Sequence, residues 1–203
     1  MSKAILRELK NHAPFTFFGA FTGIGIMLFS QGLSSKISYT VFYTLHPIHV
    51  LLSALVTASM YGLYTRGYGK RKWGLWILLA IGYVGSVGIA TISDSLIPYL
   101  AEILLSMPNR RIHIGFLEKW WLVNPLAILG IAVAYFRPKT KLPHAGHVLL
   151  STWASLFHIL IAKGEAVSLF SYAAVFLFLF LAVWIPCCVS DIVFPLLFVR
   201  ERE

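Results

Sequence analysis

Apolar residues in this chain come in long runs. They show neither the two-residue alternation of a barrel strand nor the single stripe of a soluble amphipathic helix. The runs cover about 14–33, 40–64, 73–97, 120–136, 144–163 and 168–198, and each reaches or approaches the roughly 20 residues a helix needs to cross a bilayer. The pattern predicts an all-α polytopic membrane protein with six transmembrane helices. Ahead of them, residues 1–12 set Ile5, Leu6 and Leu9 against Lys3, Arg7 and Lys10, as in a short cationic helix lying in the membrane interface. The third run continues past Pro98 through residues 100–105, and the sixth contains Pro186 and Pro195. A proline lacks the amide donor of a helical turn, so both runs are predicted to kink or break.

The polar intervals carry an unequal share of charge. With the N-terminus inside, Lys3, Arg7, Lys10, Arg66, Lys70, Arg71, Lys72, Arg137, Lys139, Lys141, Arg200 and Arg202 lie on the inner side, 12 basic residues. Only Lys36, Arg110, Arg111, Lys119 and Lys163, 5 residues, lie outside. This excess predicts an inner or plasma membrane location with both termini cytoplasmic.

Composition supports the same class. Residues are 58% hydrophobic and 12% charged, against about 25% charged in a soluble domain. The formal charge of +9 sits between the spans, where it suits anionic headgroups rather than nucleic acid. No small-residue cleavage site follows the first apolar run, so a removed leader is not expected. Cys187 and Cys188 adjoin one another inside an apolar run and imply no disulfide framework. A homo-oligomer is compatible with all of this.

A repeat changes the picture more than composition does. His46-Pro47-Ile48-His49-Val50-Leu51-Leu52-Ser53 returns 98 residues later as His144-Ala145-Gly146-His147-Val148-Leu149-Leu150-Ser151, with six of eight positions identical. Ser93, Asp94 and Pro98 return as Ser190, Asp191 and Pro195, 97 residues on, and these are the only two aspartates in the chain. Apolar low complexity can match leucines and valines by accident, but not two histidine pairs, two Ser-Asp pairs and two prolines in register. Three spans per half is an odd number, so the second half enters the membrane the opposite way up. The chain is therefore expected to be two inverted three-helix repeats, 13–107 and 108–203. This layout resembles small transporters built from inverted three-span units.

Histidines three apart share a helical face, with the serine four residues further along it. Topology puts His46, His49 and Asp94 at similar depth in the outer half, and His144, His147 and Asp191 together near the inner face. Two imidazoles and a carboxylate suit a divalent transition metal such as Zn, Mn, Fe, Co or Ni, whereas Mg or Ca would want an all-oxygen shell. Histidines can instead pack or relay protons, and an aspartate can cap a broken helix. Ionisable groups in hydrocarbon nevertheless cost at least about 2.5 kcal/mol and mark function. Haem ligation would ask for histidines on facing helices.

His12 and His113 are each candidates for a third imidazole, and Cys188 for a thiolate beside Asp191. Ser53, Ser93, Ser151 and Ser190 read as helix-break or supporting hydrogen-bonding positions. His158 has Met60 as its counterpart in the first half and reads as packing or relay. Glu102 and Glu165 are expected at the interface. Gly19, Gly23, Gly25, Gly82, Gly85 and Gly88 would make close helix packing faces. No phosphate-binding loop, G-x-S-x-G or H-E-x-x-H motif occurs. The expected function is transport of a divalent transition metal, with ligand protonation as a means of release. The alternatives are a membrane metalloenzyme with open coordination positions and a haem- or quinone-linked redox subunit.

Overall fold

The computed structural model describes residues 2–30, 32–65, 73–138, 141–163 and 169–198; side chains 2–9, 11, 12, 73, 141–144, 169, 191, 192 and 196 lie outside that description. Two long helices come first, α1 (Ser2–Phe29) and α2 (Ser35–Thr65). A third rod starts with α3 (Trp73–Tyr83) and continues through a π-helical turn at Val84–Gly88, α4 (Ile89–Thr91), a second π-turn at Ile92–Leu96 and α5 (Ile97–Leu104). The short α6 (Gly115–Glu118) leads into α7 (Trp120–Phe136) and α8 (Lys141–Ala162). The chain ends with α9 (Leu169–Cys188), a third π-turn at Val189–Val193 and α10 (Phe194–Leu196). No strand occurs among the described residues.

Among the described residues, four helices are long and apolar enough to cross a membrane: Ser35–Thr65, Gly74–Leu104, Ala145–Ala162 and Phe170–Cys188. Two shorter apolar helices, Ala13–Phe29 and Trp120–Phe136, accompany them. Helix α1 runs without a break from Ser2 through Pro14 to Phe29, so residues 2–12 are joined to the first apolar run as one helix. Phe17, Phe18 and Phe21 of α1, Trp76 of α3 and Phe136 of α7 are exposed. An apolar surface on apolar helices is what a lipid-facing exterior requires.

Helix α2 is the centre of the assembly, packed against α8 on one side and α7 on another, while α1 packs on α8 and α9. Glycines set the closest approach. A Cβ at Gly130 of α7 would collide with the Leu51 carbonyl oxygen of α2, and one at Gly82 would lie 2.7 Å from Ile131. Gly19 faces Thr152, Gly23 faces Leu179, and Gly85 faces Thr57 and Phe194. Gly25 and Gly88 have nothing within 4 Å, so the expected packing role does not extend to them. Their faces point away from every described neighbour.

The π-turns at 92–96 and 189–193 are offset by 97 residues, like the Ser-Asp pairs they contain and the prolines that follow them. Pro98 and Pro195 lack the amide that would bond to the carbonyls of Asp94 and Asp191 four residues earlier, a mismatch that a turn wider by one residue accommodates. Pro47, Pro125 and Pro186, by contrast, lie in unwidened helix, and the turn at Val84–Gly88 has no proline. The predicted breaks at Pro98 and Pro195 are thus register shifts within continuous rods, whereas α9 continues through Pro186 without interruption.

Past α5 the chain doubles back. Ser106 takes φ 51°, the left-handed value usual for a helix end, and Met107 N–H bonds the Glu102 carbonyl at 2.9 Å. Asn109 N–H then reaches the Ala162 carbonyl at the end of α8, at 3.3 Å.

Candidate metal centre

The i, i+3 spacing puts His46 and His49 on the face of α2 that meets the π-turn carrying Asp94. His46 Nδ1 lies 2.9 Å from Asp94 Oδ2 and His49 Nδ1 2.6 Å from the same oxygen. The other oxygen, Oδ1, accepts hydrogen bonds from Ser93 Oγ and from Ser151 Oγ of α8, each at 2.7 Å. Ser155 Oγ donates to the Ser93 carbonyl at 2.9 Å and holds this turn against α8. The two imidazoles are 1% exposed and the carboxylate 0%. Both oxygens of the carboxylate are thus engaged, Oδ1 by two hydroxyl donors and Oδ2 by the two ring nitrogens, an arrangement that suits a carboxylate acting as acceptor.

His46, His49 and Asp94 each offer a ligand atom, all within 4.8 Å of one another, and no other group of this kind occurs among the described residues. Two nitrogens and one oxygen fit a divalent transition ion bound at about 2.0–2.2 Å per ligand. Two arrangements suit the atoms. The ion can replace the protons between Nδ1 and Oδ2, or it can bind at Nε2 while Asp94 orients both rings.

The second histidine pair does not stand apart as the sequence led one to expect. His147 stacks on His49 with ring centroids 5.8 Å apart and planes 8° from parallel. His147 of the second motif therefore meets His49 of the first where α2 packs on α8. The reason is the antiparallel crossing of these two helices, which brings residues 98 apart to one level. The side chains of His144, Asp191 and His12 lie outside the described residues.

The serines exchange partners between halves. Ser151 bonds Asp94 and lies 3.3 Å from Ser93, while Ser53 lies 3.4 Å from Ser190. Ser190 also sits 3.1 Å from Thr57 Oγ1 and donates to the Gly85 carbonyl at 2.9 Å.

His113 does not join the centre. It is buried, with its Nδ1 3.3 Å from Glu118 Oε2. His158 Nδ1 is 2.7 Å from Glu102 Oε1, and its Nε2 accepts the backbone N–H of His113 at 3.3 Å. With both ring nitrogens engaged, His158 anchors this connection and is no spare ligand. Glu102 is fully buried, against the expectation of an interfacial position, because the doubled-back chain covers it and Arg111 N–H bonds its second oxygen at 3.3 Å. Glu165 lies outside the described residues. Cys188 is a buried free thiol and belongs to no metal-ligating group among the described residues.

Sequence reasoning missed Gly115, whose backbone lies against the His46 ring edge so closely that a Cβ would collide with Nε2 and Cδ2. It also missed the bond from Tyr43 Oη to Glu118 Oε2 at 2.6 Å. The one available signal for the Glu102–His158 pair was a carboxylate eight residues beyond Asp94 in an apolar run.

Outside the spans, burial holds the His113 imidazole below its ordinary range, more than Glu118 raises it. Burial would raise the Glu118 carboxyl, but the hydrogen bonds from Tyr43 and His113, with the charges of His113 and Arg111, bring it below the usual value. No known protein family matches this chain, and neither curated proteins nor solved structures show significant similarity to it.

Proposed function

We propose that the chain is a membrane transporter of divalent transition-metal ions, with His46, His49 and Asp94 as one half of its ion-binding region and His144, His147 and Asp191 as the other. One observation carries this reading: a complete set of two imidazoles and a carboxylate, fully buried between apolar helices. An aspartate placed mid-helix costs about 2.5–3.5 kcal/mol to insert into a bilayer, and a chain retains that cost where the group has work to do.

The transport reading further takes the six apolar helices as spans of two inverted repeats, 13–107 and 108–203, with both termini in the cytoplasm. Three features support it. The π-turns fall 97 residues apart. The equivalent residues His49 and His147 stack on each other. Ser53 meets Ser190 just as Ser151 meets Ser93. Reciprocal contacts of this kind are what a twofold axis generates. Transporters built on inverted repeats bind cargo at the repeat interface, beside discontinuous helices, and the π-turn at Ile92–Leu96 that carries Asp94 supports such a placement of the centre.

Purified protein reconstituted into vesicles with a trapped metal-sensitive dye tests the proposal. Zn²⁺ or Mn²⁺ added outside should enter at a protein-dependent rate, and an imposed proton gradient shows whether protons move in exchange. The double variant His46→Ala, His49→Ala should abolish uptake. Less than about 0.2 ion per purified, unchelated chain, where a closed site should hold one, would count against metal binding altogether. Metal-dependent turnover of a substrate in micelles, without uptake by vesicles, would favour a membrane metalloenzyme.

A further inference from the structure

We propose that the connection at 105–119 is the gate through which an ion reaches the centre, and that Gly115 is the residue that closes it. The inference rests on the reading of His46 as a ligand. Both Nδ1 atoms of the centre are engaged by Asp94, so Nε2 is the ring nitrogen of each that this carboxylate leaves for another partner. In His46 that nitrogen faces the backbone of Gly115, which is itself buried. Any side chain at position 115 would strike the ring, so only glycine lets α6 seat there. An ion can approach His46 Nε2 from this side only after α6 lifts.

Helix α6 is suited to move. It is four residues long, and the residues flanking it, Ile114 (φ −99°, ψ 101°) and Lys119 (φ −124°, ψ 47°), are not helical. A helix this short is unstable on its own, so contacts with its surroundings hold it in place.

Phe116 of α6 packs against Val50, Val87 and Val123, and its carbonyl accepts from Asn124 Nδ2 at 3.5 Å. Beside these, two tiers of polar contacts of different character hold the connection. On the buried side, the Glu102–His158 pair holds the chain at Arg111 and His113 through backbone N–H groups. On the outer side, the Glu118 side chain is 30% exposed and accepts hydrogen bonds from Tyr43 Oη and His113 Nδ1. The Lys119 ammonium lies over the rings of Tyr39 and Tyr43, 5.8 and 5.6 Å from their centroids. The inner tier is a fixed root. The outer tier is a latch whose hydrogen bonds can exchange with water.

Tyr43 precedes His46 by three residues on α2, so latch and ligand share one helical face. Phe42 stacks on His46 at 5.3 Å and also touches His158, filling the space between root and centre with a ring. Release of Glu118 from Tyr43 removes the tie between α6 and the ligand-bearing face of α2, leaving α6 to pivot on Phe116 while 109–113 stay anchored.

Two measurements test the gate. Zn²⁺ association and chelator-driven dissociation are followed by stopped flow in the parent, Tyr43→Phe and Glu118→Gln. Loss of one charge-assisted hydrogen bond should raise both rates about tenfold and leave Kd within about twofold, because a gate alters the barrier and not the bound state. Unchanged rates, or a change in Kd through dissociation alone, would overturn the gate.

The second measurement needs no metal. In a background with Cys187→Ser and Cys188→Ser, the thiol of His46→Cys is labelled in vesicles with a small water-soluble methanethiosulfonate and read by mass spectrometry. Glu118→Gln should speed labelling about tenfold, because its two charge-assisted bonds become neutral and weaker. Equal labelling with and without the latch overturns the gate even if the parent binds zinc. Faster labelling in a protein that binds no metal keeps the gate and refutes the metal reading. Tyr43→Phe, the milder change, serves if Glu118→Gln does not fold.

Discussion

Replacing Asp94 by asparagine isolates what charge contributes to the centre. Asn keeps the outline of Asp and can turn its carbonyl oxygen toward His46 and His49, with its amide toward Ser93 and Ser151. Those hydroxyls can rotate to accept, since each offers lone pairs as well as a proton. All four contacts at Asp94 therefore have a neutral replacement, and what is lost is the anion. Hydrogen bonds to a charged group contribute about 1.5–3 kcal/mol and neutral ones about 0.5–1.5. Each imidazole bond should weaken by about 1 kcal/mol, and the pair by about 2 kcal/mol. At 1.4 kcal/mol per decade that is about a 30-fold weaker ion affinity, within the 10- to 100-fold typical of partners that orient metal-bound histidines. A larger loss would place the carboxylate in direct contact with the ion. The thermal midpoint of metal-free protein should barely move, because removing a buried charge also removes its desolvation cost. Competition titration of Zn²⁺ against a chromophoric chelator in detergent measures the affinity. Binding within twofold of the parent, at an unchanged midpoint, would refute the reasoning and leave Asp94 as a packing device.

Two further predictions concern the scaffold. Gly130→Ala must push α7 away from the Leu51 carbonyl, which should cost about 1–3 kcal/mol. Gly88→Ala meets nothing within 4 Å and should be neutral or stabilising by up to about 1 kcal/mol; thermal unfolding in detergent compares them, and equal midpoints would show that the α2–α7 approach is not limiting. The 105–119 corner should lose stability as pH falls. The folded pKa values of His113 and Glu118 both lie below their ordinary values, so the unfolded corner binds more protons. Stability is then lost as pH drops from about 6.5 for His113 and, further down, from about 4.3 for Glu118. Amide hydrogen exchange in this segment, corrected for intrinsic rates, should accelerate between pH 7 and 5 and lose part of that dependence in His113→Gln. Slower exchange at pH 5 would reverse the sign and refute it.

The amino-acid sequence alone determined the all-helical class and the first candidate ligand set. Apolar run lengths, with few charges inside them, leave helices as the economical way to satisfy backbone groups, and helices without strands make up the described residues. Three-residue spacing put His46 and His49 on one face, and the order of the runs brought Asp94 to their level, as found. Pro98 and Pro195 announced two of the interruptions, because a missing amide acts within its own turn wherever that turn lies.

What tertiary structure decided was which faces meet. Periodicity assigns a residue to a side of its helix but does not tell how that helix is rotated against its neighbour or how near it comes. So the stacking of His147 on His49, the bond from Ser151 to Asp94, and the burial of Glu102 against His158 were not legible in advance. Gly115 was the least legible of all. It is a glycine in an ordinary connecting segment until the chain reversal after α5 sets its backbone against the ring nitrogen of His46 that Asp94 leaves open.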